Sequence, residues 1–343
     1  MKFSRPKKLV FCNNKGGVGK TTLAFHCAVD FANKGYKTAM IDLDPQCNLT
    51  LQTLGHTFYE NNLNLFADTT KTIYDVLKPK IEGSGDIDTT VKLYKVPGRE
   101  NLFILPGDIQ LSVFESLLIN GFSDAAAGNL RGYSDTSAID RYLNKIGSEN
   151  EIDIFVIDTS PSLGVLNRII FLGSEYFIVP LTPDSYSVQG IKNLGVVFEG
   201  WKKQWSNTAK AVSVSGKTPS DHVLSGNSLF IGYINNDFSI YSQRMVRRQR
   251  DWTEILPQEV KKYLSEKHGR NGLVEKSWRT PIGSTQNYGQ LPAISMENHL
   301  AIQEFDRSKV NELNLDGTKQ LQEKAKQEIS TLTDNILNVL NNY

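Results

Sequence analysis

Residues 15–22 read Lys15-Gly16-Gly17-Val18-Gly19-Lys20-Thr21-Thr22, and few folds can accommodate such a string. It follows an apolar run, Leu9-Val10-Phe11, and leads into a helical pattern at Leu23-Ala24. Strand, glycine-rich loop and helix in that order form the context of a phosphate-binding loop. Glycines lack Cβ, so the loop can take positive φ and turn its N–H groups inward. Those groups and the helix N-terminus then face an anion. Lys20 is placed to reach β- and γ-phosphates, and the Thr21 hydroxyl to ligate Mg²⁺. The general form of this loop opens on a glycine. Here Asn14 stands in that place, and a second lysine, Lys15, follows it.

With this variant loop the chain resembles the ParA/MinD family of P-loop ATPases, and within it the ParA-type (Soj-like) partition ATPases. Asp42-Leu43-Asp44-Pro45-Gln46 and Thr72-Ile73-Tyr74-Asp75-Val76-Leu77 look like that branch. The likeness is strongest over 8–55 and 151–200 and thins after about 235. It implies a SIMIBI-type P-loop fold, ATP and Mg²⁺ as ligands, and slow, partner-stimulated hydrolysis. Gly16, Gly17, Val18, Gly19, Lys20, Thr21 and Thr22 would hold the nucleotide.

Composition narrows the class. At 343 residues and a net charge of +1, the chain has no global attraction to nucleic acid or membrane, so any such binding needs a local patch. Cys12, Cys27 and Cys47 are odd in number and lack CxxC spacing, as expected of reduced thiols in a cytoplasmic protein. No secretory leader is expected, since the N-terminus has basic residues without an apolar stretch behind them. No apolar run approaches the ~20 residues of a membrane span.

Strands are expected at about 8–13, 37–42, 102–105, 154–158, 175–180 and 229–234. Helices are expected at about 20–34, 71–78, 108–119, 137–147, 163–173 and 185–205. Their alternation predicts one α/β domain with a doubly wound, mostly parallel sheet and its ligand at the strand C-terminal ends. The Gly/Ala/Ser-rich stretch 121–136 reads as a loop, and the Ser/Gly/Lys-rich stretch 206–228 as an inserted loop or hairpin. Residues 236–343 read as mostly helical. The last helix, about 317–341, carries Leu321, Ala325, Ile329, Leu332, Ile336 and Leu340 on one stripe, which suits core packing rather than a membrane surface.

Three acids stand where strands end. Asp158 closes an apolar strand, as a Walker B carboxylate does, and would hold Mg²⁺ with Thr21. The resemblance makes Asp44 the residue that positions the attacking water and Asp42 its support. It sends Lys15 across a nucleotide-sandwiched homodimer to the partner's phosphates, a cationic finger supplied in trans. It also places an adenine-reading amide at Asn235 or the adjacent Asn236.

Arg244, Arg247 and Arg248 share one face of an expected helix. In partition ATPases basic residues of this region bind duplex DNA without sequence preference, which implies nucleoid association and a ParB-like adaptor. With Asp251 and Glu254 as partners, the same charges also describe a solvated face. The rival reading is a nucleotide-dependent switch that positions a protein complex and carries no DNA, with 121–136 and 206–228 as docking surfaces.

Overall fold

The computed structural model describes residues 2–55, 71–215, 219–238, 254–270, 273–306, 310 and 315–343. The apolar run becomes strand β1 (Lys7–Phe11), in the middle of an eight-stranded sheet. In chain order the other strands are β2 (Thr38–Leu43), β3 (Tyr94–Lys95), β4 (Leu102–Leu105), β5 (Ile154–Thr159), β6 (Tyr176–Leu181), β7 (Leu229–Phe238) and β8 (Gly283–Gln286). Their spatial order is β3-β4-β2-β5-β1-β6-β7-β8, parallel throughout except for the short β3. β1 lies between β5 and β6, and Phe11 is in register with Asp158.

Alternation along the strands sends residues to two cores, as a pleated sheet covered on both faces requires. Leu9, Phe11, Met40 and Val156 pack on one side against α1 (Lys20–Asn33) and the C-terminal helix α12 (Leu315–Asn342). Val10, Ile41 and Ile157 pack on the other side. There they meet α4 (Leu111–Ala126), α6 (Ala138–Glu149), α7 (Val165–Gly173) and α8 (Ser185–Ser215). On α12, Ala325, Ile329, Leu332, Ile336 and Leu340 are all buried and Leu321 is partly so. The remaining helices are α2 (Asn48–Leu54), α3 (Ile73–Ile81), α5 (Leu130–Thr136), α9 (254–268, with a π turn at Lys261–Ser265), α10 (Val274–Arg279) and α11 (Leu291–Asn298).

Three expectations need correction. Residues 121–136 are not a loop: α4 continues to Ala126 and α5 begins at Leu130. The small residues there serve close helix packing, since a Cβ on Gly132 would lie 2.2 Å from the Ala125 nitrogen. The first part of the supposed insertion is helix as well, because α8 continues past 205 to Ser215, with Val212 on its buried face. Ser206 and Lys210 lie on its solvent side, and the described residues 219–228 are irregular apart from a 3₁₀ turn at Ser220–His222. The C-terminal part, mostly helical as expected, also supplies edge strand β8, whose Gly-Ser-Thr-Gln sequence has no apolar run to reveal it.

Candidate nucleotide site

The loop between β1 and α1 sits at the C-terminal edge of the sheet. Gly17 (φ +73°) and Gly19 (φ +80°) occupy the left-handed region that L side chains avoid. A Cβ on Gly16 or Gly17 would meet nothing within 4 Å, so an open cradle lies above them. Asn14 is not among the residues with positive φ, which is why a side chain is tolerated where the general motif has glycine. The first backbone bond of α1 runs from the Leu23 N–H to the Gly19 carbonyl at 2.9 Å. The N–H groups before it have no intrahelical acceptor, as at any helix start. Val18 is buried, and Thr22 lies in the first turn of α1 with its carbonyl 2.7 Å from His26 Nδ1.

The two lysines of the loop part company. Lys20 is buried, 7% exposed, with Nζ 3.4 Å from the Lys15 carbonyl oxygen. Burial pushes its ammonium pKa down, opposed by Asp158 and Asp44, so both carboxylates act on this one amine. Lys15 turns outward. Its Nζ donates to Thr182 Oγ1 at 2.8 Å and to Asp184 Oδ2 at 2.5 Å. Asp184 also accepts the Ser187 N–H at the start of α8. Burial would raise the Asp184 pKa, but the bonds from Lys15, Ser187 and Thr182 hold it below the usual carboxylate range.

Asp158, at the end of β5, accepts a 2.7 Å hydrogen bond from Thr21 Oγ1 on Oδ2. Its Oδ1 is buried with no hydrogen-bond partner. Burial, then the nearby Asp42, push this carboxyl up to about 8. A hydroxyl and an orphaned carboxylate oxygen beside the cradle are hard-oxygen donors of the kind Mg²⁺ takes. A divalent cation there would hold Asp158 ionised. Thr21 and Asp158 therefore fit the metal.

Asp44 is 5% exposed and accepts the Gln46 N–H at 3.0 Å. Asp42 is fully buried and its oxygens are engaged: Thr50 donates from N (2.8 Å) and Oγ1 (2.6 Å), and Asp44 from N (3.3 Å). Burial pushes Asp42 up to about 6 against those bonds. Gly107 packs on it, and its N–H donates to Thr50 Oγ1 at 2.9 Å. Asp42 thus ties β2, α2 and the end of β4 together behind Asp44.

The two asparagines at the end of β7 differ. Asn236 Nδ2 donates to the Val18 carbonyl at 2.8 Å, and Asn236 Oδ1 accepts from Thr285 Oγ1 at 2.5 Å. Asn235 Oδ1 is buried without a partner. Arg244, Arg247 and Arg248 lie outside the described residues. Sequence reasoning missed Thr50, Thr182, Asp184 and Thr285 as partners of site residues; Thr182 and Asp184, just past the end of the apolar strand β6, offered the nearest signal.

A family model described as an AAA domain matches residues 6–211, more than half the chain. The chain belongs to the ParA/MinD family of P-loop ATPases. Among relatives, the chromosome-partitioning ATPase Soj of Treponema pallidum is 30% identical over 212 residues, 61% of this chain and 69% of Soj. The virulence plasmid ParA family protein of Chlamydia psittaci is 27% identical over 223 residues, 61% of this chain and 74% of that one. A crystal structure of a Corynebacterium diphtheriae protein shares the fold with TM-score 0.72 at 22% identity, covering 97% of this chain and 98% of its own. Cyanothece apo McdA does so with TM-score 0.56 at 16% identity, covering 95% and 100%. Among the described residues of this ParA/MinD-family chain, no helix is long and apolar enough to cross a membrane.

Proposed function

We propose that this ATPase works as an ATP-dependent homodimer of the partition type, engaging duplex DNA without sequence preference. The observation that carries the reading is the sorting of the two loop lysines. Lys20 is buried in its own cradle, while Lys15 stands at the rim, its side chain 29% exposed and turned away from it. A lysine that does not face its own loop's phosphates can serve those of a second subunit.

In this reading the loop N–H groups and Lys20 bind the phosphates. Thr21 and Asp158 hold Mg²⁺, which when bound neutralises charge on the phosphates. Asp44 orients the attacking water, and positioning of that kind is most of the catalysis in phosphoryl transfer. Asn235, with its unpartnered buried oxygen, accepts from the adenine amine. Arg244, Arg247 and Arg248 supply DNA contacts, and a ParB-like adaptor stimulates an otherwise slow hydrolysis in the cytoplasm at the nucleoid. The chromosome-partitioning name of the Treponema relative and the plasmid ParA-family name of the Chlamydia one support the cargo.

Light scattering with ATP tests the dimer. Wild type should double in mass and Lys15→Ala should not. The substitution should also lower hydrolysis on the order of 10³-fold, the scale of a cationic finger. If wild type stays monomeric at micromolar concentration, the sandwich is lost. With ~6 phosphates contacted, DNA binding by the ATP form should fall with salt at a log–log slope of about −5.

The positioning-switch reading draws on exposed apolar side chains near the same edge, Ile109 and Val113 (69% and 48% exposed), which suit a protein partner. DNA-stimulated turnover favours partition, and tight ATP binding without turnover favours the switch.

A further inference from the structure

At the opposite end of the sheet from the loop, before β7 begins, an open cavity of ≈ 530 Å³ lies between the C-terminal half of α8, the 225–227 segment and the end of α9. That volume falls within the range of small-ligand sites. Four lysines line it, Lys202, Lys203, Lys210 and Lys267, against one carboxylate, Glu199, which already pairs with Lys267.

Lys202 is the unusual member. It is mostly buried, donates to the Ser228 carbonyl at 2.5 Å and lies 5.5 Å from the centre of the Phe171 ring. Among the described residues it has no carboxylate partner. Burial pushes its ammonium down to about 8. A cation kept out of water without a counter-ion costs stability, so its place here calls for a compensating group. The neighbouring polar atoms are incomplete too. His268, which lines the cavity and is 2% exposed, has an unpartnered buried Nδ1, and the hydroxyl of Ser228, whose carbonyl takes the Lys202 bond, is also buried and unpartnered.

We infer that this cavity is a second anion site, separate from the nucleotide cradle, which takes a phosphate-bearing ligand on Lys202, Lys203 and Lys210. A multiply charged anion supplies the counter-charge that Lys202 lacks, and ammonium groups on flexible stems serve as point charges for phosphate oxygens. Glu199 stays on Lys267 and closes that side of the cavity. The inference does not depend on dimerisation or on the arginine cluster after β7.

Pyrophosphate is the probe. The full chain is first saturated at its loop with a magnesium-bound non-hydrolysable ATP analogue, then titrated with pyrophosphate by calorimetry. One further site per chain is expected. Lys202→Met should weaken it at least tenfold, as should the exposed pair Lys203→Met with Lys210→Met, which covers the case that Lys202→Met fails to fold. Affinity for the ATP analogue, measured separately, should be unchanged in both. Absence of a second site, or unchanged pyrophosphate binding in the folded variants, overturns the inference. A duplex DNA competitor identifies the source: displacement assigns the phosphate to a nucleic-acid backbone, and no displacement assigns it to a small phosphorylated solute.

Discussion

Asn236 shows how much of a phosphate-binding loop is decided outside the loop. A carbonyl turned toward the phosphates would repel them, and the Asn236 amide pins the Val18 carbonyl to itself. Thr285 fixes which end of that amide faces Val18. Gly19 is required twice over, by its φ and because a Cβ there would lie 2.2 Å from Asn236 Nδ2. Replacing Asn236 with Leu leaves the carbonyl unpaired, a loss of about 1–3 kcal/mol. If about half of that appears in nucleotide binding, affinity for an ATP analogue falls about two- to tenfold. Thr285→Val removes the orienting bond alone and should cost less. Equal affinity in wild type and Asn236→Leu would show that the amide does not position the loop. The residues of the loop itself were legible in sequence because spacing carries their chemistry: Lys20, Thr21 and the strand-ending Asp158 meet as the motif requires. Thr285 was not, because it is an ordinary threonine 49 positions from its partner, on a strand without an apolar signature.

At the scale of elements, strands that read as continuous apolar runs appeared where periodicity put them, because a parallel sheet buries both faces. Residues 121–136 were misread because their small residues act through packing rather than turning. Gly121, Ala125 and Gly132 let α4 and α5 approach until Gly132 lies against the α4 backbone. Composition alone cannot separate such a contact from a flexible loop, since both favour glycine and alanine. The contact makes a sharp prediction. A single methyl at Gly132 must displace backbone at 2.2–2.7 Å, with no flexible side chain to give way. Gly132→Ala should therefore lower unfolding free energy by about 1–3 kcal/mol, the usual cost of overpacking, in a denaturant titration. Gly200, partly exposed on α8 with nothing within 4 Å of its Cβ position, is the control. There Gly→Ala should be neutral or stabilising by up to about 1 kcal/mol.

For the whole molecule, the buried ionisable groups set how folding responds to acid. His26 lies under the 299–304 segment, where Gln303 donates to its carbonyl, and its imidazole pKa is pushed down to about 4, mainly by burial. The unfolded chain takes up a proton near 6.5 and the folded chain does not until about 4. Its contribution to stability is therefore complete above pH 6.5 and lost as pH falls through the interval to 4. The shift corresponds to about 3 kcal/mol at most. Asp42 acts in the opposite sense. Burial raises its pKa to about 6, so the folded state binds a proton that the unfolded state releases down to about 3.8. Stability from this group is gained, not lost, as pH falls from 6 toward 4. Because the two oppose each other over the same window, the wild-type curve alone cannot isolate either, and the difference between variants can. Unfolding of wild type and His26→Leu should be followed at pH 7 and pH 4.5. Relative to wild type, the leucine protein should gain about 2–3 kcal/mol between the two. Parallel curves would mean that the folded chain protonates His26 as readily as the unfolded one, and that the helix α1 interior is wetter at this point than its packing against residues 299–304 implies.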